Sequence, residues 1–399
     1  MKIDTDSKKI KEVLSKGVEE IIEKKSLEKK LKSGKRLRIK HGIDPTGPRI
    51  HIGRACQIWK LKEFQELGHQ IVLIFGDFTA QIGDASDKTS MRKPLTEKEV
   101  KENMRDYKRQ IGMILDMKKV ETRYNSEWLK KLTWKEKLSL SMNFTAQQMI
   151  QRRNFKERWD SSKPIGLHEL DYPLLQGYDS VAVKADVEIG GFDQLFNLEV
   201  GREVQRIFKQ PPQDIMILKM LFGLDGRKMS TTWGNVINIT DKPNEMYGKI
   251  MSMKDELIGD YFELTTKVPM KKISEIKKQL KDKILNPRDA KIKLAKEIVK
   301  LYYGEKKADE AGKEFNRIFK EKKLPSKVPE VKFIKESLPI LDLIFNSNLA
   351  SSKSQAKRLI LEKGVRINGK LITDWKEKIK LENGMIISIG KRKFVKIKK

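Results

Sequence analysis

Apolar and polar positions follow two alternating periodicities in the first part of the chain, and this alternation predicts a parallel sheet. Residues Ile71–Phe75 form an unbroken apolar run, which is typical of a strand buried on both faces. A short strand pattern at 36–40 precedes this run, and apolar residues at helical spacing fill the stretch between the two. Strand, loop, helix and strand make a βαβ unit. The strand pattern returns at Val187–Ile189 and Ile215–Leu218, so we expect an α/β fold.

Other stretches show helical spacing. Residues 7–33 predict one polar helix, and residues 97–116 predict another. The chain between about 117 and 186 is mixed and mostly helical, and we interpret it as an insertion into the sheet domain. Residues 242–320 are Lys-rich and helical, and Pro287 is well placed at the first position of one of their helices.

The last part of the chain changes character. A stretch with two prolines, EKKLPSKVPE at 321–330, predicts a linker. Residues Ser351–Lys363 predict a short basic helix, and Asn368-Gly369 between two short strands is a strong signal for a two-residue hairpin. Further strands are predicted at 385–389 and 394–397. We therefore expect a small α/β module at this end.

These patterns divide the chain into segments, and its 399 residues fit two or three domains. The expected segments are an N-terminal helical segment at 1–35, a sheet domain at 36–240 with its helical insertion at about 117–186, an all-α domain at 241–320, a linker at 321–334 and a small α/β module at 335–399.

The composition changes the picture by its charge. The chain has 85 Lys and Arg against 55 Asp and Glu, a formal net charge of +30. A field of this size attracts polyanions, and nucleic acid is the usual one. A generally Lys-rich composition is the alternative explanation.

Cysteine and histidine usage excludes other classes of site. The single cysteine, Cys56, cannot form an intramolecular disulfide, and the four histidines are scattered without the spacing of metal ligands. We therefore expect no protein metal site. The N-terminus lacks a signal-peptide pattern, and the chain has no apolar run of about 18 residues. A cytoplasmic enzyme or binding protein without membrane contact is the expectation.

Two glycine-containing stretches carry the candidate chemistry. GIDPTGPRIHIGR at 42–54 follows a predicted strand and leads into a helix near Gly53. A helix N-terminus attracts phosphate through its free N–H groups and its partial positive charge, and His51 can donate to a phosphate oxygen. A simple structural turn capped by His51 is an equally good interpretation of this loop alone.

The second stretch, DGRKMSTTWGN at 225–235, follows another predicted parallel strand and carries Arg227 and Lys228. Loops at the carboxyl ends of parallel strands converge on one crevice. Taken alone, this loop is more often a solvated basic loop. The two loops together indicate a site that grips a triphosphate from both sides.

The paired motifs resemble the His-Ile-Gly-His and Lys-Met-Ser-Lys-Ser signatures of class I aminoacyl-tRNA synthetases. Between and after them, four further segments resemble the bacterial tyrosyl-tRNA synthetases: GDFTAQIGDAS (76–86), YNSEWL (124–129), YPLLQGYDSVAVKADVEIGGFDQLFN (172–197) and NPRDAKIKLAKEIV (286–299). The form is the one with a lysine, here Lys40, in place of a tyrosine shortly before the GIDPT motif. The C-terminal SSKSQAKRLILEKGVRINGK is similar to the S4 RNA-binding domain of that family.

The resemblance implies a Rossmann-type parallel sheet with a helical insertion, followed by a helical anticodon-region domain and an S4 domain. It implies that tyrosine is activated with ATP to tyrosyl-adenylate and then transferred to tRNA(Tyr). ATP would be a substrate whose Mg²⁺ is held mainly by phosphates, with no tightly bound protein metal. L-tyrosine, ATP and tRNA(Tyr) are the expected partners, and members of this family are homodimers.

Site residues follow from the same resemblance. The expected catalytic residues are His51, Arg54, Lys228 and Thr231. The expected ATP-binding residues are Asp44, Thr46, His51, Gly53, Lys228, Met229 and Ser230. The expected tyrosine-binding residues are Lys40, Thr79, Asp84, Asn125, Tyr172, Gln176, Asp179 and Gln194, with Asp179 accepting from the phenol. The expected tRNA-binding residues are Lys353, Lys357, Arg358, Lys391 and Arg392.

Two positions depart from the signatures. Arg54 stands where the first signature ends in histidine, and Thr231 stands where the second has its second lysine. Arginine can still donate to phosphate, whereas threonine removes a full charge. We therefore expect Lys228, together with Arg227 or Lys88, to carry more of the phosphate contact.

Three alternatives remain open. The tryptophan enzyme shares the fold, although the S4-like tail and the Asp179 acceptor argue against it. A catalytically weak RNA-binding protein on the same scaffold fits the changes at Arg54 and Thr231. A simple nucleotidyltransferase has a similar first motif but needs no S4 domain.

Overall fold

The computed structural model describes residues 2–84, 94–231, 233–321, 328–390 and 393–399, with every side chain in these ranges except that of Arg153. The chain forms two compact units, Met1–Glu305 and Lys306–Lys399. Within the described ranges, none of the helices is both long and apolar enough to cross a membrane.

The first unit is built on a six-stranded sheet. Its strands are β1 (Val18–Ile22), β2 (Arg38–Ile43), β3 (Gln70–Phe75), β4 (Val120–Tyr124), β5 (Val187–Gly191) and β6 (Asp214–Leu218). Their order across the sheet is β1-β6-β5-β2-β3-β4; β2 to β6 are parallel, and β1 runs antiparallel to β6. The apolar runs of β3 and β6, each one strand in from an edge of the sheet, are buried, as expected for two-sided burial. The predicted parallel α/β architecture is confirmed.

Helices cover this sheet and extend beyond it. The α-helices are α1 (Ser7–Val13), α2 (Lys24–Lys32), α3 (Ile52–Glu66), α4 (Thr79–Ile82), α5 (Glu97–Met104), α6 (Tyr107–Ile111), α7 (Ser126–Leu129), α8 (Trp134–Ser141), α9 (Ala146–Ile150), α10 (Arg153–Asp160), α11 (Leu167–Ala182), α12 (Leu195–Ile207), α13 (Pro243–Met251), α14 (Ile258–Thr265), α15 (Met270–Lys281) and α16 (Pro287–Tyr303). Short 3₁₀ turns lie at Met117–Lys119, Phe192–Gln194 and Asp255–Leu257. The Pro287 start of α16 is confirmed, with Asn286 as its N-cap.

The N-terminal segment differs from the single helix predicted for 7–33. The helix ends at Val13, and residues Val18–Ile22 form β1 instead. A turn at 14–17 separates the helix from the strand, and Gly17 at its end has a φ of +66°, at a point where a Cβ would lie 2.9 Å from Leu264. The pairing of β1 with β6, about 200 residues away, is non-local, so local polarity did not reveal it.

Two predicted boundaries in the sheet domain also change. Residues 97–116 form two short helices, α5 and α6, because the chain turns at Arg105-Asp106. The insertion begins later than residue 117, since 120–124 form β4 alongside β3. This strand, VETRY, is half-buried along its length at the sheet edge, and it lacks the apolar run that marked its neighbours.

The second unit contains two small sheets and two helices after the described part of the chain resumes at residue 328. The unit begins with α17 (Glu305–Phe319), whose first residue is the last of the first unit. The later elements are β7 (Glu330–Lys332), β8 (Ser337–Pro339), α18 (Ile340–Asn346), α19 (Lys353–Leu361), β9 (Val365–Ile367), β10 (Lys370–Leu371), β11 (Lys378–Lys380), β12 (Ile386–Ile389) and β13 (Lys393–Lys398). One sheet has the order β10-β9-β12-β13-β7, and β11 pairs with β8. A single cluster of buried apolar residues, including Ile340, Ile360 and Ile387, lies inside.

The predicted hairpin in this unit is confirmed, whereas the predicted end of the linker is wrong. The Asn368-Gly369 hairpin is confirmed, with φ values of +46° and +84° that suit a primed turn. Residues 330–332, predicted to lie in the linker, form β7 and pair with β13. The rest of that stretch, 322–327, lies outside the described residues.

Candidate active site

A cleft opens where the strand order of the sheet reverses. After β2 the chain continues to β3 and β4 on one side of the sheet, and after β5 it continues to β6 on the other side. The connections that leave the carboxyl ends of these two neighbouring strands therefore run in opposite directions. Ligands of open parallel sheets bind at such a switch point. The residues that follow these two strands, Asp44 and Phe192–Gln194, line a cleft of about 300 Å³ together with His51 and Lys228. The two signature stretches therefore do converge on one site.

Side chains of α5 and α6 hold the loop after β2. The Tyr107 hydroxyl donates to the Gly47 carbonyl at 2.6 Å, and Nδ2 of Asn103 donates to the Pro45 carbonyl at 3.0 Å. The Gln110 side chain donates to the Pro48 carbonyl and accepts from the Ile50 amide, both at 2.8 Å. The loop is thus fixed in place before any ligand binds. Sequence analysis missed these three side chains because their partners are backbone atoms about 60 residues away.

His51 caps α3 and faces the cleft. Its Nδ1 atom accepts a long hydrogen bond of 3.4 Å from the Arg54 amide. Burial, together with the nearby cations Arg54 and Lys228, lowers the pKa of His51 to about 3. The ring is therefore neutral at physiological pH, and its Nε2–H is available to donate to an anion in the cleft.

Arg54 stands one turn into the same helix and reaches across the loop. Its Nη2 atom donates to the Thr46 hydroxyl at 2.6 Å, and Nη1 donates to Tyr107 at 3.2 Å. Gly53 allows the second signature to approach, because a Cβ there would lie 2.8 Å from the sulfur of Met229. The arrangement brings both signatures into direct contact.

The second loop contributes Lys228 and Met229 to the cleft. Nζ of Lys228 lies 3.3 Å from a carboxylate oxygen of Asp193, which sequence analysis did not select. Asn235 braces the loop, since it accepts from the Ser230 amide at 2.8 Å and donates to the Lys228 carbonyl at 3.1 Å. The described lining of the cleft includes neither Ser230 nor Thr231, and Thr231 is exposed.

Arg227 and Lys88, the other cations expected to help Lys228, have different outcomes. The Arg227 guanidinium pairs with Asp225 at 2.6 Å and stacks on Trp233, 4.8 Å from the ring centre. Among the residues that the structure describes around the cleft, Arg227 does not appear. Lys88 lies outside the described residues.

A narrower pocket of about 70 Å³ continues from the cleft between β2, β5 and α11. Its wall includes the expected residues Thr79, Asn125, Tyr172, Gln176, Asp179 and Gln194, and also Glu188. Tyr172 and Thr79 both donate to the Asp44 carboxylate, at 2.9 and 2.8 Å. The structure therefore brings most of the residues that were expected to bind tyrosine together around one pocket.

Asp179 is the buried carboxylate of this pocket. It accepts from the Trp128 indole at 2.8 Å and from the Asn125 amide at 3.3 Å. Burial raises the pKa of Asp179 to about 7, although Lys40 and these two donors oppose the rise. Asp179 is therefore poised between its neutral and ionised forms near physiological pH.

Asp84 and Gln194 lie on the cleft side of the pocket. Asp84 accepts from Nη2 of Arg152 and from Nε2 of Gln194, both at 2.7 Å. The Gln194 amide oxygen accepts from Asn197 at 3.1 Å, and Asn197 also donates to Gln176. Arg152 and Asn197 were not selected from the sequence: Arg152 lies outside the family-like segments, and Asn197, the last residue of the segment 172–197, acts through Gln176 and Gln194.

Lys40 occupies a different place from the one expected. Its ammonium group is fully buried, 2.9 Å from the Glu188 carboxylate, and donates to the Ser180 hydroxyl at 2.7 Å and to the Gln176 carbonyl at 3.0 Å. Lys40 is not among the described residues that line the pocket, whereas Glu188 is. A direct contact with tyrosine is therefore revised to an indirect one, in which Lys40 fixes the wall that Glu188 and Gln176 form.

The residues expected to bind tRNA lie in the second unit. Lys353, Lys357 and Arg358 all belong to α19. Lys353 forms an ion pair with Asp342, and Lys357 lies 3.9 Å from the centre of the Trp375 ring. Lys391 and Arg392 lie outside the described residues.

Comparison with known proteins identifies the family. Residues 32–320 match the family model of the class I tRNA synthetases for tryptophan and tyrosine. The chain belongs to this family. Residues 320–397 match the C-terminal domain of tyrosine–tRNA ligases of the SYY type.

Individual relatives agree along nearly the whole chain. The tyrosine–tRNA ligase of Carboxydothermus hydrogenoformans is 46% identical, over 97% of both chains, and that of Thermotoga maritima is 43% identical, over 96% of both. Among solved structures, a C-terminally truncated mitochondrial tyrosyl-tRNA synthetase of Aspergillus nidulans superposes with a TM-score of 0.65 at 21% identity, covering 78% of this chain and 93% of that one. At this identity the superposition supports the fold alone.

Proposed function

We propose that the chain is a tyrosine–tRNA ligase. In the first step the tyrosine carboxylate attacks the α-phosphorus of ATP and pyrophosphate leaves; in the second, a ribose hydroxyl at the 3′ end of tRNA(Tyr) attacks the adenylate. The observation that carries the proposal is a cleft lined by His51 and Lys228 that lies beside a pocket with a buried carboxylate, Asp179. The names and full-length identity of the relatives support it.

Tyrosine would enter the narrow pocket with its ring foremost. The Asp179 carboxylate would accept from the phenol, which needs an acceptor once it is buried. Asp84, Tyr172 and Gln176 would surround the ammonium group with oxygen acceptors. Thr79, Asn125 and Gln194 would position these acceptors through the hydrogen bonds described above.

ATP would bind across the wider cleft. The N-terminus of α3, with its partial positive charge, and the neutral His51 would face its phosphates, beside Asp44, Thr46 and Gly53. Lys228 would supply positive charge from the opposite loop, next to Met229 and Ser230. Arg54 would act through Thr46, which it already holds.

Catalysis would then be positioning plus charge stabilisation, because no protein nucleophile takes part. Mg²⁺ would enter with the triphosphate and stay mainly on phosphate oxygens. Thr231, which is exposed, would contribute little, so Lys228 would carry most of the charge from its loop.

The second unit would bind tRNA. Residues 306–399 hold 25 Lys and Arg against 11 Asp and Glu, a strong excess for a module of this size. Lys353, Lys357 and Arg358 would contact the RNA backbone from α19, together with Lys391 and Arg392. Residues 241–320 would serve as the helical anticodon-region domain.

A second copy of the chain would complete the enzyme as a homodimer. The helix α8 and its C-cap expose three large apolar side chains, Trp134, Leu138 and Met142, at spacings of four residues, which places them on one face. Exposed apolar faces of this kind mark interaction surfaces.

Pyrophosphate exchange with each of the twenty amino acids tests the proposal. We expect exchange with tyrosine alone, at a rate far above that with phenylalanine or tryptophan. Exchange with tryptophan instead would assign the chain to the sister enzyme, and exchange with none would assign it a binding role.

A further inference from the structure

Arg152 is buried beside the cleft and holds one of its carboxylates. The side chain is 4% exposed, and Nη2 lies 2.7 Å from Oδ1 of Asp84. The second carboxylate oxygen of Asp84 accepts from Gln194. Asp84 lines the cleft next to Tyr172, whereas Arg152 is absent from the described lining. Its guanidinium group therefore acts on the cleft through Asp84.

Stability is a weak explanation for this buried charge. The other terminal nitrogen, Nη1, is buried without a hydrogen-bond partner among the described residues. The guanidinium carbon of Arg152 lies over the ring of Phe155, 5.5 Å from the ring centre. A buried ion pair seldom adds net stability over apolar packing, and an unpaired buried donor is a further penalty.

The carboxylates around the pocket indicate what the positive charge of Arg152 does. Four buried or half-buried carboxylates surround it: Asp44, Asp84, Asp179 and Glu188. Lys40 pairs with Glu188, and Arg152 pairs with Asp84. Carboxylates that share a site oppose each other's ionisation, so Asp84 needs a cation to stay charged there.

We propose that Arg152 is a positioning residue for the amino group of the substrate, because it holds Asp84 as a fixed, ionised acceptor on which the ammonium group docks. The inference rests on the proposed function, which places that group at Asp84. An ionised carboxylate has about four acceptor directions, so the ammonium group can dock on Asp84 without displacing the hydrogen bonds that Arg152 and Gln194 donate.

Three ligands distinguish this role from a merely structural one and from a contact with the substrate carboxylate. L-tyrosine carries both charged groups, tyramine carries only the amine, and 3-(4-hydroxyphenyl)propionate carries only the carboxylate. Binding of each is measured by calorimetry, with KM and kcat for tyrosine from pyrophosphate exchange. In Arg152→Met we expect affinity for tyrosine and for tyramine to fall about ten- to a hundredfold, the range for losing one charged hydrogen bond. The propionate should bind unchanged.

Matched variants control the comparison. Arg158 is also fully buried and pairs with Glu169, but neither lies in the described cleft lining. Arg158→Met should lower thermal stability without changing the relative affinities of the three ligands. Arg152→Lys keeps the charge and should recover part of the lost affinity for amines. The double variant of Arg152→Met with Asp84→Asn should be no worse than Asp84→Asn alone. Arg152→Gln replaces Arg152→Met if the latter does not fold.

Two results would overturn the proposal. An equal loss for all three ligands would show that Arg152 is merely structural. A loss for tyrosine and the propionate, with tyramine unaffected, would show that it contacts the carboxylate instead. If the unaltered protein binds none of the three ligands, the proposed function itself fails, which is a different result from either of these two.

Discussion

At the scale of single residues, we expect Asp179 to determine which amino acid the pocket accepts. A site built to bind a hydroxyl rejects the analogue that lacks it, because its polar group is then left unpaired. Asp179→Ala should therefore lose most discrimination against phenylalanine. Discrimination of about 10⁵ is the general value for tyrosyl-tRNA synthetases, and it serves as the reference for the unaltered protein. The ratio of kcat/KM in pyrophosphate exchange measures it, and an unchanged ratio would remove Asp179 from the role.

The raised pKa of Asp179 also makes the free energy of unfolding depend on pH. The pKa of Asp179 in the folded protein is raised to about 7, so the folded state holds its proton more tightly than the unfolded state does. Its contribution to stability is therefore present at low pH and is lost as the pH rises from about 4 through 7. The difference in free energy of unfolding between the unaltered protein and Asp179→Asn should shift in favour of the variant over this range, by up to about 1.4 kcal/mol per pH unit. Urea unfolding without substrate at pH 5, 6, 7 and 8 measures it, and a constant difference would contradict the raised pKa.

At the scale of elements, the second signature loop concentrates its charge on one side chain. Lys228 faces the cleft, whereas Thr231 is exposed and Arg227 pairs with Asp225. Lys228→Ala should slow tyrosine activation by about 2.7–4 kcal/mol of barrier, as for other single transition-state contacts, with little change in tyrosine binding. Arg227→Ala, the matched control from the same loop, should change activation far less. Single-turnover adenylate formation compares them, and equal rates for Lys228→Ala and the unaltered protein would refute the two-loop site.

The loop after β2 gives a second test at this scale. Tyr107 holds Gly47 and also receives a hydrogen bond from Arg54, so it links α6 to the first signature. Tyr107→Phe keeps the ring and removes only the hydroxyl. The variant loses both hydrogen bonds of the hydroxyl, so we expect activation to slow about ten- to a hundredfold, with KM for tyrosine nearly unchanged. A larger change in KM for tyrosine than in kcat would instead place the effect in the amino-acid pocket.

The elements also show what sequence can reveal. The apolar run of β3, the Asn368-Gly369 hairpin and the Pro287 start of α16 are local patterns, and the structure confirms each of them. The strands β1 and β4 owe their place to pairing with distant strands, and neither carries a continuous apolar run. The signatures located both loops of the site. The side chains that support the site, such as Gln110, Asn235 and Arg152, do so through hydrogen bonds that the sequence pattern did not predict.

At the scale of the whole molecule, the second unit is the more densely charged: 25 Lys and Arg against 11 Asp and Glu give it a net charge of +14 in 94 residues, whereas residues 1–305 carry the other +16. Its sheets and helices enclose an apolar core of their own. If this unit binds tRNA and the first unit builds the adenylate, the two activities should separate on truncation. A chain that ends at Glu321 should keep tyrosine-dependent pyrophosphate exchange and lose most tRNA charging, mainly through a higher KM for tRNA. Loss of exchange as well would show that the first unit depends on the second.

Salt dependence identifies the kind of contact that truncation removes. Each phosphate contact by Lys or Arg releases counterions, so the logarithm of the affinity falls linearly with the logarithm of salt concentration, by about 0.7–0.9 per contact. The full chain should show the steeper slope, and the difference from the truncated chain counts the contacts that residues 322–399 make. Substituting Lys353, Lys357 and Arg358 by alanine in the full chain should make its slope shallower, by up to about 2–3 units, and so account for part of that difference. Filter binding of tRNA(Tyr) across a series of KCl concentrations measures all three slopes. Equal slopes for full and truncated chains would mean that the charge of the second unit does not touch RNA phosphate, and the net charge of +30 would then reflect composition alone.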